Sequence, residues 1–158
     1  MVKRIFAWQT DGSACYYYRL WLPLSHLPAD RFSYEIGAPE PNIHDYDVVI
    51  GQRIAGDSEL WRNLCSDPGV LAVYDIDDDL LNIDPENAVP HSIYAPLREG
   101  TQRNIERSDV VTAPTPKLAE YLSQFNSNVL VVRNCVPDAL PETPRRERLR
   151  LTIGWGGS

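Results

Sequence analysis

Four carboxylates fall within five positions in Asp75-Ile76-Asp77-Asp78-Asp79, directly after the apolar run Val70-Leu71-Ala72-Val73-Tyr74. Like charges this close repel, so something must offset them: water, a helix N-terminus, an arginine, a metal or a shared proton. The simplest structural account is an Asp-rich helix N-cap. The chemical account is a ligand-handling cluster. The run before it is rich in valine and bounded by Pro68-Gly69, which reads as a buried strand of a parallel sheet. Such strands deliver ligand-handling groups at their carboxyl ends, in the crevice where helices leave the sheet.

The elements that must position these residues follow in order. Lys3 to Trp8 is a first strand ending in the polar turn Gln9-Thr10-Asp11-Gly12-Ser13-Ala14-Cys15. A glycine turn there places backbone N–H groups where a phosphate or sugar can approach. A short helix begins at Tyr16, limited by Pro23 and Pro28, and directs Arg19 at the crevice or at solvent. Arg31 to Ile36 and Asp47 to Gly51 are strands, the latter with Gln52-Arg53 at its carboxyl end. Asp57-Ser58-Glu59 caps a helix with Leu60, Trp61 and Leu64 on one face. After the Asp-rich strand comes an irregular loop, Asn82 to Pro90, then a helix from Ile93 to Arg107 and a strand from Ser108 to Pro114. A capped helix at Thr115-Pro116 and a strand from Asn128 to Val132 complete the series, followed by Arg133-Asn134.

Strands alternating with helices at this spacing imply right-handed βαβ crossovers. The fold class is therefore α/β, a Rossmann-like, doubly wound and mainly parallel sheet with helices on both faces. Residues 1–140 form this domain, and 141–148 are a proline-rich, charged linker. Residues 149–158 enter a new strand and the glycine loop Gly154-Trp155-Gly156-Gly157-Ser158, expected to open a second nucleotide-binding half beyond this chain. A strand at 149–155 without its sheet is a candidate for self-association.

Bulk properties narrow the classes. The chain has 158 residues, 43% hydrophobic and 23% charged, the size and composition of one globular domain. A net charge of −7 leaves no general basic surface for phosphates, so nucleic acid is not the expected partner. No run approaches the ~18 apolar residues of a membrane helix. Cys15, Cys65 and Cys135 are odd in number and widely spaced, which suits reduced thiols in cytoplasm and shows no metal-ligand spacing.

Five segments together resemble the GT-B glycosyltransferases of the retaining, glycogen-synthase-like type. They are Tyr74-Asp75-Ile76-Asp77-Asp78-Asp79, Ser108 to Thr115, Leu118-Ala119, Val131 to Pro137 and Ile153 to Ser158. The resemblance implies two Rossmann-like domains facing a cleft. This chain would be the N-terminal, acceptor-side domain, inactive alone. The partners implied are a nucleotide-sugar donor and a sugar, lipid or protein acceptor, with no further cofactor and no metal. Asp11, Gly12 and Ser13 map to the turn that reaches donor phosphates and sugar, and Gly156, Gly157 and Ser158 to the start of the donor loop. The family often carries a histidine after the fourth strand; Asp77 and Asp78 stand there as the candidate catalytic residues. Arg19, Asp75, Asp79, His91, Arg133 and Asn134 are the further substrate-binding candidates.

Two other readings stay open. Asp75-Ile76-Asp77 resembles the DxD of haloacid-dehalogenase-type phosphatases, in which the first aspartate attacks phosphorus beside Mg2+. Against it, the motif falls after three strands with no later acidic pair. A non-catalytic binding module is the other, with Tyr16, Tyr17, Tyr18 and Trp21 as a sugar-stacking or partner surface, though aromatics at this spacing are more often core.

Overall fold

The computed structural model describes residues 1–10, 12, 14–39, 42–134 and 136; the expected linker and final strand lie outside these. Six strands form one sheet: β1 (Lys3–Trp8), β2 (Phe32–Gly37), β3 (Val48–Gln52), β4 (Leu71–Asp75), β5 (Val110–Ala113) and β6 (Val129–Val131). All pair in parallel, in the order β2-β1-β3-β4-β5-β6. The chain winds outward from β1 to β2, then returns to β3 and winds the other way. The strand order therefore reverses between β1 and β3, and in sheets of this kind ligands bind outside the carboxyl ends at that reversal.

Helical segments run between the strands. The first, α1, spans residues 14–25 and includes a π-helical turn at Tyr17–Trp21. It ends at Ser25, between the two prolines, Pro23 and Pro28, expected to limit it. The Leu22 N–H reaches back five residues to the Tyr17 carbonyl, so Pro23 begins a fresh α segment where its missing N–H is not needed. The next, α2 (Glu59–Leu64), starts as expected at Ser58, whose hydroxyl accepts from the Trp61 N–H at 3.1 Å. Then α3, residues 88–107, begins five residues earlier than the sequence suggested, with Pro90 in its first turn and a 3-10 turn at Ala95–Leu97. Finally, α4 (Pro116–Leu122) carries the expected Thr115 cap.

The larger core joins alternate residues of the sheet, such as Phe6, Val49, Ala72, Tyr74 and Val111, to Trp61, Leu64, Ile105 and Leu122 of the helices on one face. On the other face Ile5, Ala7, Val48 and Ile50 pack against Leu20 and Leu24 of α1. The period of two along each strand separates these sets. The sequence also placed the aromatic group of α1 more often in core than at a surface. The structure departs from this: Tyr17, Tyr18 and Trp21 are all exposed, with Tyr17 stacked on Trp21 at 5.2 Å, and only Tyr16 packs inward.

Buried hydrogen bonds fix the loop after β3. Tyr74 Oη donates to the Ile54 carbonyl at 3.0 Å, and Asn104 Nδ2 donates to the carbonyls of Ile54 and Gly56 at 3.1 and 2.6 Å. Thr101 Oγ1 accepts from the Gly56 N–H at 3.0 Å. A Cβ at Gly100 would lie 2.2 Å from the Asp57 nitrogen, so α3 approaches this loop only because residue 100 lacks a side chain.

Candidate functional site

Register sets the first layer of the site. Gln52, Asp75 and Thr112 are Cα partners across β3, β4 and β5, so their side chains share a face at the carboxyl end. That face is the one α1 covers. Arg19 reaches in from the π-helical turn and grips Asp75 with both Nε, at 3.2 Å, and Nη2. The two side chains are only 2% and 3% exposed, an ion pair almost wholly out of water. Thr112 Oγ1 donates to Asp75 Oδ1 at 2.6 Å. Arg19 Nη1 also donates to the Val132 carbonyl and, at 3.1 Å, to Asn134 Oδ1. Burial pushes the Asp75 carboxyl up, while Arg19 and Thr112 pull it back. One arginine thus ties α1 to β4 and to the segment leaving β6.

Gln52 completes this row without joining it. It is fully buried, and neither amide atom has a hydrogen-bond partner among the described residues. Buried polar groups are nearly always satisfied, so such an atom pair marks a place where water or a ligand group belongs.

The second layer lies at the reversal point. Arg53 follows β3 in the left-handed region, φ 46°, the only non-glycine residue with positive φ among those described. Such backbone persists only where surroundings over-determine it, and it clusters at functional sites. Here the loop bonds to Tyr74, Asn104 and Thr101 supply the constraint. The guanidinium faces Asp77 Oδ1 at 3.7 Å from Nε, and Asp78 Oδ2 at 3.7 Å and Cys15 Sγ at 3.8 Å from Nη1. Asp77 is 8% exposed along its side chain and Asp78 68%. Burial first, then the Asp77 charge, raises the Asp78 carboxyl, and Arg53 opposes the shift.

The aspartates do not cap a helix, because the chain stays irregular from Ile76 until Ala88. Asp79 instead accepts from Asn82 Nδ2 at 3.0 and 3.2 Å, closing the turn after it. Cavities open on both sides of this loop. One, of 440 Å³, is lined by Arg53, Asp78, Asp79, Leu80, Ile83, Asp84, Asn87, Pro90 and Tyr94. Another, of 420 Å³, lies between Asp77 to Asp79 and Thr115, Lys117, Leu118 and Tyr121 of α4.

The sequence candidates therefore divide. Arg19, Asp75 and Asn134 come together in one buried network, and Asp77 and Asp78 in another. His91 lines a separate cavity with Leu81, Asn82 and Arg98. Arg133 is exposed after β6 and Gly12 after β1. Asp11, Ser13, Gly156, Gly157 and Ser158 lie outside the described residues. Arg53 and Cys15 were not singled out from the sequence. The signal for Arg53 was present, since it directly follows a strand at its carboxyl end; nothing in the spacing of Cys15 pointed there. Compared with protein-family models and with curated proteins, the chain matches none. Among the described residues no helix is long and apolar enough to cross a membrane.

Proposed function

We propose that this chain is the acceptor-side, Rossmann-like half of a GT-B glycosyltransferase, which moves a sugar from a nucleotide-sugar onto an acceptor hydroxyl. The observation that carries the reading is the meeting of Arg53, Asp77 and Asp78 where the strand order reverses. Two of the five segments of sequence resemblance, 74–79 and 108–115, run past the carboxyl ends of β4 and β5, the end of the sheet that such an enzyme uses. An acceptor hydroxyl beside Asp77 or Asp78 would be oriented by a carboxylate able to take its proton. Arg53 keeps that pair of carboxylates tolerable at close range.

Transfer also needs positive groups or helix N-termini on the departing pyrophosphate. Arg19 is committed to Asp75, and Arg53 faces two carboxylates, so this half has little charge to offer the donor. A second domain must supply it, and closure of the two halves would keep water from the reacting sugar. In the phosphatase reading Asp75 would attack phosphorus. Its oxygens are buried and already held by Arg19 and Thr112, which weighs against that role.

The test is a chain extended past Ser158, incubated with a panel of nucleotide-sugars and simple glycoside acceptors while nucleotide release is followed. Release that requires both substrates and is lost in Asp77→Asn supports the reading. Binding of sugars without release would favour a non-catalytic module, and phosphate release from a phosphomonoester would favour the phosphatase.

A further inference from the structure

Cys15, Asp77 and Asp78 bring one sulfur and two carboxylate oxygens within 4.8 Å of one another, from the start of α1 and the loop after β4. A cluster of acids alone would mean little. Here one member is anomalous: the Asp77 side chain is 8% exposed, and its Oδ1 is buried without a hydrogen-bond partner among the described residues. A carboxylate oxygen taken out of water normally receives charge-assisted bonds at about 2.7–2.9 Å. Among the described residues the cation that faces it is the Arg53 guanidinium at 3.7 Å, too far to bond. Asp78 stands equally far from that guanidinium, at 3.7 Å. The arginine therefore screens the charges without filling the valence of Asp77 Oδ1.

We propose that Cys15, Asp77 and Asp78 form a binding site for a borderline-soft divalent cation of the Zn2+ class, which competes with the Arg53 guanidinium for the same three groups. A metal–oxygen bond of about 2.0–2.2 Å and a metal–sulfur bond of about 2.3 Å would satisfy what the guanidinium leaves open. The donor set chooses the ion. Mg2+ and Ca2+ take oxygen ligands, whereas a sulfur among carboxylates selects zinc or its neighbours. Three protein donors leave a fourth position for water or a ligand group. On binding, the Cys15 thiol releases its proton to solvent, the sulfur and two oxygens bond to the ion, and Arg53 swings toward the adjoining cavity. The site shares Asp77 and Asp78 with the glycosyltransferase reading but needs no second domain, so metal binding is measured separately from any transfer.

The 158-residue chain, with Cys65→Ser and Cys135→Ser to remove other thiols, is titrated with Co2+ and then Zn2+. The expected result is a thiolate-to-cobalt charge-transfer band that Zn2+ bleaches, together with a Tm raised by Zn2+ but not by Mg2+. Cys15→Ser should abolish the band, and Asp77→Asn should weaken binding by about tenfold or more, both with an unchanged far-ultraviolet circular dichroism spectrum. Arg53→Gln should tighten it. Absence of the band, a band that survives in Cys15→Ser, or equal stabilisation by Mg2+ would overturn the site. Unchanged or weaker binding in Arg53→Gln would overturn the competition. Were a variant to misfold, Zn2+ protection of Cys15 from alkylation in the otherwise unaltered chain would decide instead: protection supports the site, none overturns it.

Discussion

The two ends of the sheet handle charge in opposite ways. At the amino end the carboxylates are at least partly exposed, and they are satisfied. Asp47 accepts from Lys3 Nζ at 2.5 Å and from the Arg4 N–H at 2.8 Å. Asp67 accepts from the Gly69 N–H at 2.9 Å and faces His44 Nδ1 at 2.9 Å. Asp109 Oδ2 accepts from the Ala72 N–H at 2.8 Å. Local bonds pull the Asp47 and Asp67 carboxyls below the usual range: the Lys3 hydrogen bond for the first, the Gly69 N–H for the second. At the carboxyl end Asp75, Arg19 and the Asp77 side chain are largely out of water, Arg53 is held in strained backbone, and Gln52 and Asp77 keep atoms without a hydrogen bond among the described residues. A fold spends exposed charge on its own termini and turns. Buried charge that leaves atoms unsatisfied is costly to keep, and it makes the carboxyl end the candidate for function.

The largest expected effect comes from cutting the buried pair. Arg19→Met should cost about 3–5 kcal/mol in urea unfolding, because it strands Asp75 out of water. The double variant Arg19→Met/Asp75→Leu should recover most of that loss, since neither charge remains. A double variant as unstable as the single one would mean the pair contributes more than mutual neutralisation.

Next is Asp77→Asn. Removing a charge whose Oδ1 has no bond among the described residues should leave urea stability within about 1 kcal/mol of the parent or raise it, as at sites held for function rather than stability. A loss of several kcal/mol would place Asp77 with the structural carboxylates of the other end. At that end Asp109→Asn, which weakens the bond to the Ala72 N–H, should cost about 0.5–1.5 kcal/mol by the same measurement and leave any activity untouched.

The last effect is a pH dependence at the amino end. Burial moves the Cys65 thiol from 9.0 to about 11. A raised thiol value means the folded state holds its proton more tightly. The associated stability is therefore whole below about pH 9 and fades as pH rises toward 11. Melting of parent and Cys65→Ser between these values should converge as pH increases, and parallel curves would contradict it.

Much of the scaffold was legible in the sequence. β1 matches residue for residue, and the caps at Ser58 and Thr115 were readable because a hydroxyl three residues before an N–H is a local signal. Helix bounds were less so. Pro23 and Pro90 read as breakers, yet a π turn and a first-turn position accommodate them, and these depend on packing rather than on composition. At the site, the sequence gathered the aspartates but could not sort them. Asp75, Asp77, Asp78 and Asp79 look alike in a row; strand pleat and register give Asp75 to Arg19, Asp77 and Asp78 to Arg53, and Asp79 to its own turn. Arg19 stayed open between crevice and solvent because its partner lies fifty-six positions away.

One measurement bears most directly on the working role of the carboxyl end. Parent, Asp77→Asn and Asp109→Asn versions of the chain extended past Ser158 are compared for acceptor-dependent nucleotide release from a nucleotide-sugar. The account predicts that Asp77→Asn loses about a hundredfold or more, as for a positioned proton acceptor, while Asp109→Asn matches the parent. Equal rates in all three, or equal losses in both variants, would contradict it.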